Sequence, residues 1–452
     1  MRRYNTLVLL VLCASATAQE SATFVFRDVN VLTMEAAESI DNRTVVVTDG
    51  RIVAIGSPGD VEVPPDAVVV DASGRFLMPG LTEMHGHVPG SEDRQYLEDV
   101  LFLYVANGVT TVRGMQGREG HIELRGRIDR HEVLGPRFIT SGPALTGNAV
   151  DGPDETRQFV LDQVDAGYDF IKLLRGLTRE EFDAAVQAAA EAGTHVAGHV
   201  SEDVGVARAL EAGQATIDHL DGYPQYLLPP DIDPSSTDAG FYGVNLLEWM
   251  DDERIRQAAR ETRDAGVWIV PTNTMIANVA LTSPSAEELA ARPQMAYLPP
   301  DLVQGWAQSK QGRVDTINQE SDAGRRLVQL RSKIVGIMHE EGVGLLLGSD
   351  APQFFNVPGF SLHNELAYMV EAGLSPYEAL HMGTVAPADF FDTEDEFGRI
   401  AVGLAADLVL LADNPLEDVG AASQPLGVMV RGEWLDRARI DAGLADIAAR
   451  HR

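Results

Sequence analysis

Tyr168-Asp169-Phe170-Ile171-Lys172-Leu173-Leu174 reads as a buried β-strand with a lysine inside it. A lysine ammonium is costly to bury unless it is paired or its charge is changed. The whole chain has only three lysines, so this one is not drawn from a lysine-rich surface. The same kind of short apolar run recurs along the middle of the chain. Candidate strands are Phe76 to His87, Val109 to Arg113, Arg137 to Ser141, Phe170 to Leu174, Thr194 to His199, Ala215 to His219, Val267 to Pro271 and Gly344 to Ser349.

Most of these runs precede an amphipathic helical stretch. Arg179 to Ala192 places Phe182, Ala185, Val186 and Ala189 at helical spacing. Ala192-Gly193, Ala212-Gly213, Ala265-Gly266 and Ala372-Gly373 are good helix stops. Repeated β-then-α units of this length predict an α/β protein, a (β/α)8 TIM barrel over 76–395. A doubly wound open sheet is the alternative. The stretches Asp221 to Met250 and Thr272 to Arg325 are too long for plain connectors and predict a lid or substrate wall.

Both ends read as strands and turns. Val45-Val46-Val47 followed by Asp49-Gly50-Arg51-Ile52-Val53 has the turn and β-branched content of a hairpin. Leu408 to Leu411 and Val428 to Trp434 are similar. The pattern predicts one small β-sandwich domain built from both ends, 19–75 with 396–452.

Chemistry collects at the C-terminal ends of the middle strands. His85 and His87 lie two apart, so they leave their strand on the same side. Lys172, His199, His219 and Asp350 close four more runs. In a barrel this puts all of them on the face where active sites sit. Imidazole and carboxylate donors without thiolate suit zinc, and the set looks like a two-metal hydrolytic centre. Each residue alone has a blander reading. A lone His-x-His is more often structural, and Lys172 alone fits a salt bridge or a Schiff-base amine. Their joint placement at successive strand ends is what argues against coincidence.

The run Met78-Pro79-Gly80-Leu81-Thr82-Glu83-Met84-His85-Gly86-His87 resembles the amidohydrolase superfamily. Phe170-Ile171-Lys172, Ala197-Gly198-His199, Ile217-Asp218-His219 and Gly348-Ser349-Asp350 extend the resemblance. It is strongest to the branch of imidazolonepropionase-like enzymes and prolidase-type dipeptidases. The resemblance implies that CO2 carboxylates Lys172 to an anionic carbamate bridging two divalent ions, most often Zn2+. It implies that His85, His87 and Asp350 hold one ion, and His199 and His219 the other. A bridging water of lowered pKa then supplies hydroxide, with Asp350 as general base and acid.

Other residues are candidates for supporting roles. Tyr223 follows His219 closely, and its hydroxyl is placed to polarise a scissile carbonyl or to form a pocket wall. Arg113 ends a strand and suits either a substrate carboxylate or an internal ion pair. His363 is a pocket-lining or helix-start residue. His195 begins its strand, at the end away from the site, and reads as structural. His121 and His131 read as solvated or capping, His339 as surface and His381 as packing.

The formal charge of −33 excludes a basic nucleic-acid face and suits a soluble, self-repelling surface. Its near-exclusive use of arginine as the cation also fits life in salty water. Arg2-Arg3, the apolar Leu7 to Leu12 and Ala16-Thr17-Ala18 predict a signal peptide over 1–18, hence a periplasmic or secreted protein. Cys13, the only cysteine, leaves with that segment; Leu12 before it is a poor lipobox fit. No later segment predicts a membrane span. The expected partner is a small amide, such as a dipeptide or N-acyl amino acid. Rival readings are hydrolysis of a cyclic amide, lactone or phosphoester, and a non-catalytic metal- or ligand-binding protein. The sequence is compatible with a homo-oligomer.

Overall fold

The computed structural model describes residues 22–318 and 322–452. The segment read as a signal peptide lies outside the described residues. The N-terminal part forms β1 (Phe24–Val31), β2 (Ile40–Thr48), β3 (Arg51–Gly56), β4 (Val68–Asp71) and β5 (Phe76–Pro79). The middle forms β6 (Leu81–Gly86), β7 (Val109–Gly114), β8 (Arg137–Thr140), β9 (Ile171–Leu173), β10 (Val196–Gly198), β11 (Thr216–Asp218) and β12 (Trp268–Val270). The C-terminal part adds β13 (Leu408–Leu411), β14 (Gly427–Val430) and β15 (Glu433–Asp436).

Strands from both chain ends form one sheet in the order β15-β14-β13-β5-β1-β2-β3, with β4 beside β1. The seam between the two ends is β13 against β5, where Val409 pairs with Met78 and Leu410 with Leu77. Phe26, Val45, Ile52, Leu77, Leu408 and Met429 bury one shared core there. The expected hairpin is present. Asp49 and Gly50 turn β2 into β3 with φ of 52° and 70°, the positive pair that a tight hairpin turn asks for.

The run Phe76 to His87 does not form one strand. It divides at Gly80 between two sheets. Gly80 N–H donates to Asp407 O of the outer sheet at 2.8 Å, and Leu81 N–H donates to Gly108 O at 2.8 Å. The chain therefore changes sheet over one residue, and the histidines belong to the inner part.

The middle is α/β with parallel sheets. One has the order β6-β7-β8, the other β12-β11-β10-β9. Parallel bridges from Ser141 to Phe170 and from Leu145 to Leu173 join β8 to β9. Gly344 to Ser349 keeps only one bridge, Leu345 to Ile269, and is not a regular strand. It is nonetheless held to β6, since Met84 N–H donates to Leu347 O and Asp350 N–H to His85 O, both at 2.9 Å. Helices cover these strands. The helix Arg179–Glu191 starts on a capping box between Thr178 and Glu181 and buries Phe182, Ala185, Ala188 and Ala189. No helix of the described residues is long and apolar enough to cross a membrane.

The two long insertions pack against each other. The first carries the 3-10 stretch Phe241–Trp249, and the second the helices Asn273–Ala280 and Pro300–Ile317. Val244 of the first joins Met275, Ile276, Val279 and Ile317 of the second in a common core.

Candidate active site

Each expected ligand lies in or just after an inner strand or, for Asp350, after the segment 344–349. His85 lies in β6 and His87 just beyond it, with His87 N–H donating to Ala351 O at 2.8 Å. Lys172 is the middle residue of β9, paired with Ala197 of β10. His199 and His219 follow β10 and β11 directly. The glycines in these motifs have a steric cause. A Cβ on Gly198 would lie 2.8 Å from Lys172 Cδ and 2.6 Å from Leu173 O. One on Gly348 would lie 2.9 Å from His85 N. Either is closer than real Cβ contacts allow, so glycine leaves room for the neighbouring ligand.

The side chains converge on Asp350. Its Oδ1 lies 2.6 Å from His87 Nε2 and 3.6 Å from His85 Nε2, and its Oδ2 lies 3.9 Å from His219 Nδ1. Gln353 donates to Oδ2 at 3.1 Å. The His219 ring is 4.5 Å from that of His85 and 4.7 Å from that of His199, centroid to centroid. Donor atoms of His85, His219 and Asp350 lie within 4.8 Å of one another, a spacing that one metal ion can span. Lys172 is brought to the same place through Asp218. One Asp218 oxygen lies 3.4 Å from Lys172 Nζ and 3.0 Å from His85 Nδ1. The latter contact is close but poorly aligned for a hydrogen bond.

Burial sets the electrostatics. It lowers His85 to about 4, aided by Lys172, and takes His219 well below its usual value. Both imidazoles are therefore neutral near pH 7, with a lone pair to offer a cation. Burial also lowers Lys172, against the pull of Asp218 and Asp350, and so favours its amine form. Burial raises the Asp350 carboxyl, but His85 and His87 outweigh it and leave the group below the ordinary value.

Several residues that the sequence reading passed over complete the site. Glu83 is buried and accepts from His85 N at 2.9 Å, Ser349 N at 2.8 Å and Ser349 Oγ at 2.5 Å. It ties the strand of His85 to the segment of Asp350, and burial raises it to about 8 against those bonds. Asp221 Oδ2 lies 2.6 Å from His199 Nδ1. Thr272 Oγ1 lies 2.7 Å from His219 Nδ1. Tyr242 of the first insertion packs edge-on to His219 at 6.2 Å, so this insertion reaches the candidate ligands. Glu83, Asp218 and Asp221 each stand two residues or fewer from a histidine already singled out. That adjacency was the available signal. Thr272 and Tyr242 had none.

Four further residues take places that the sequence left open or put elsewhere. Tyr223 is fully buried and its hydroxyl pairs with Thr262 Oγ1 at 2.6 Å, away from the ligands; it packs in the helical layer. Of its two readings Arg113 takes the internal one. It donates to Met84 O at 2.7 Å, lies 3.6 Å from Asp218, and is flanked by the rings of Phe170 and Phe390. His363 lies in the first turns of the helix Phe360–Glu371, with Nε2 2.9 Å from Asn107 O at the end of the helix Arg94–Ala106. His121 is buried as well, with Nε2 3.2 Å from Pro89 O, and fastens the loop after His87. His195 and His339 follow expectation, the first stacked on Phe170 and the second on the surface near Glu378.

A family model described as the amidohydrolase family matches residues 76–435. An ochratoxinase of Aspergillus niger is 22% identical over 459 residues, covering 86% of this chain and 82% of that protein. An adenine deaminase of Rubrobacter xylanophilus is 29% identical over 212 residues, covering 42% of this chain and 33% of that protein. The solved structure of a Xaa-Pro dipeptidase with bound methionine superposes with a TM-score of 0.68 at 20% identity, over 92% of this chain and 100% of that one. The family match opens at β5, closes in β15 and takes in His85 through Asp350. The chain belongs to the amidohydrolase family and is a hydrolase acting on carbon–nitrogen bonds.

Proposed function

We propose that this chain is an exported, binuclear metal-dependent amidohydrolase that cleaves amide bonds of small substrates, of the dipeptide or N-acyl amino acid type. The observation that carries the reading is the convergence of His85, His87 and His219 on Asp350, with His199 beside them. In this reading His85, His87 and Asp350 would hold one divalent ion and His199 and His219 the other, with Lys172, as its carbamate, supplying an anionic ligand to both. The donor set fits: buried neutral imidazoles and a carboxylate suit zinc, and the lowered Lys172 offers the amine that CO2 needs. Bound ions would supply Lewis acidity and a water of lowered pKa.

The chain's own residues do the rest. Asp350 takes the proton of the attacking water on its carboxylate and returns it to the leaving nitrogen. Gln353, donating to Oδ2, leaves Oδ1 toward the histidines. The inner strands, with 344–349 between β12 and β6, form a closed (β/α)8 TIM barrel. The bonds on either side of 344–349 support this. The outer sheet, completed by β5, belongs to a composite β-sandwich domain of 19–75 and 396–452, and 1–18 is the signal peptide of a periplasmic or secreted protein. A dipeptide substrate is favoured because a dipeptidase shares the fold over nearly the whole chain.

The test is metal analysis of purified protein, followed by hydrolysis of a dipeptide and N-acyl amino acid panel with and without chelator. The expected result is two divalent ions per chain and turnover that chelation abolishes and zinc restores. A single ion after reconstitution rules out the binuclear centre. Turnover that ignores the chelator rules out metal dependence.

A further inference from the structure

Arg331 is a buried cation outside any ion pair among the described residues. It sits in the helix Ala323–Glu340, only 3% exposed. A buried charge without a carboxylate partner is costly unless its donors are otherwise satisfied. Its donors are satisfied in a specific way. Nη1 donates to His219 O at 2.8 Å, Nη2 to Pro271 O at 2.6 Å and Nε to Asn273 Oδ1 at 3.0 Å. The guanidinium also lies over the Tyr242 ring, 5.7 Å from its centroid. One side chain thus collects the ends of two adjacent parallel strands, β11 and β12, and meets the first insertion at Tyr242.

Those strand ends are conformationally unusual. His219 has φ 62°, Leu220 φ 56° and Thr272 φ 52°. Such left-handed backbone is strained for residues with a Cβ and persists only where surroundings over-determine it. His219 is a ligand in the proposed centre, and Thr272 is the residue whose hydroxyl meets its Nδ1 at 2.7 Å. The two carbonyls that Arg331 binds, of His219 and Pro271, flank these left-handed residues. Turned out of the sheet and away from water, they need donors, and a planar fork with several N–H groups serves them together. Glu365 braces the same loop from the other side, accepting from Asn273 N at 2.8 Å and Thr274 N at 2.7 Å.

We infer that Arg331 is a positioning residue for the metal centre: it holds the strained ends of β11 and β12 so that Thr272 orients the His219 imidazole toward Asp350. This rests on the reading of His219 as a metal ligand. The test uses Arg331→Lys, which keeps the charge but loses the fork, and Thr272→Val, which keeps the shape but loses the hydroxyl. Zinc affinity is measured by chelator competition on protein shown by circular dichroism and melting to be folded.

Both variants are expected to bind zinc about 10- to 100-fold more weakly, the scale for losing support of a ligand. Because they act on one path, the double variant should lose less than the product of the two losses. A merely structural role predicts a lowered melting point with unchanged zinc affinity in the folded protein. Wild-type affinity in both variants overturns the inference. If Arg331→Lys does not fold, Thr272→Val alone decides, since wild-type affinity there breaks the path from Arg331 to His219. Wild-type protein that takes up no zinc overturns the metal-dependent reading itself, which is a separate result.

Discussion

Asp221 Oδ2 lies 2.6 Å from His199 Nδ1, and Arg175 grips the same carboxylate with Nη2 at 2.5 Å and Nε at 3.2 Å. Burial raises Asp221, but His199 and Arg175 together hold it below the ordinary carboxylate value, so it stays an acceptor. An acceptor there fixes the imidazole proton on Nδ1 and leaves the Nε2 lone pair outward. Arg175 is half exposed and also lies over Tyr242, so the support runs from the surface to the first insertion.

Asp221→Asn is therefore expected to weaken metal binding by about 10- to 100-fold while leaving the fold intact. Excess zinc should restore much of the activity. Chelator competition measures the affinity directly; an unchanged value would show that Asp221 only anchors Arg175.

Lys172→Ala should lose metal and activity together, because it removes the proposed bridge. Added bicarbonate should speed reconstitution of wild-type apoprotein, and short carboxylic acids should partly rescue the variant. Metal content and turnover report both. Borohydride trapping of a substrate adduct on wild-type Lys172 would instead identify a Schiff-base enzyme and overturn the carbamate.

Asp350→Asn separates holding metal from moving a proton. The amide oxygen can still face a cation, but the basic carboxylate is gone. Turnover should fall by roughly a hundredfold or more, with much of the metal retained. A fully metallated variant nearly as active as wild type would place the base elsewhere, with Tyr242 the first residue to examine.

His195 gives a prediction about acid stability. Burial beside Phe170, with Arg113 near, lowers it to about 4 from an ordinary 6.5. Between those values the unfolded chain binds a proton that the folded chain refuses, so this group makes stability fall as pH drops through the window. The term is roughly 3 kcal/mol at most. His195→Phe keeps an aromatic ring against Phe170 and removes the term. Urea unfolding at about pH 8 and about pH 5 should show a smaller loss in the variant; equal losses would mean His195 stays protonated when folded.

Much of the fold was legible because its signals are local. Alternating apolar runs and amphipathic stretches, stopped by Ala-Gly, mark the β-then-α order. Gly213, with φ 70°, ends its helix as such a stop does. The ends of Phe170 to Leu174 and Ala215 to His219 were legible for the same reason. Two boundaries were not. Gly80 splits a run that is continuous in apolar character, since the partners that pull it apart are Asp407 and Gly108. Gly344 to Ser349 reads as a strand but keeps few ladder bonds, because the neighbours available to it, Ile269, Met84 and His85, belong to two different sheets.

The sequence by itself determined where the candidate ligands stand. His85, His87, Lys172, His199 and His219 lie in or just after short inner strands, Asp350 follows an apolar run of the same kind, and such a run is a feature of a few consecutive residues. Only the tertiary structure decided which residues support that set. Tyr223 and Tyr242 are both tyrosines of the first insertion, yet one turns to Thr262 and the other to His219. Their directions depend on the path of a loop that includes left-handed turns at Leu220 and Tyr242. Arg331 is 112 residues from the carbonyl it holds. Contacts at that separation are set by how helices pack on strands, and no local spacing encodes them.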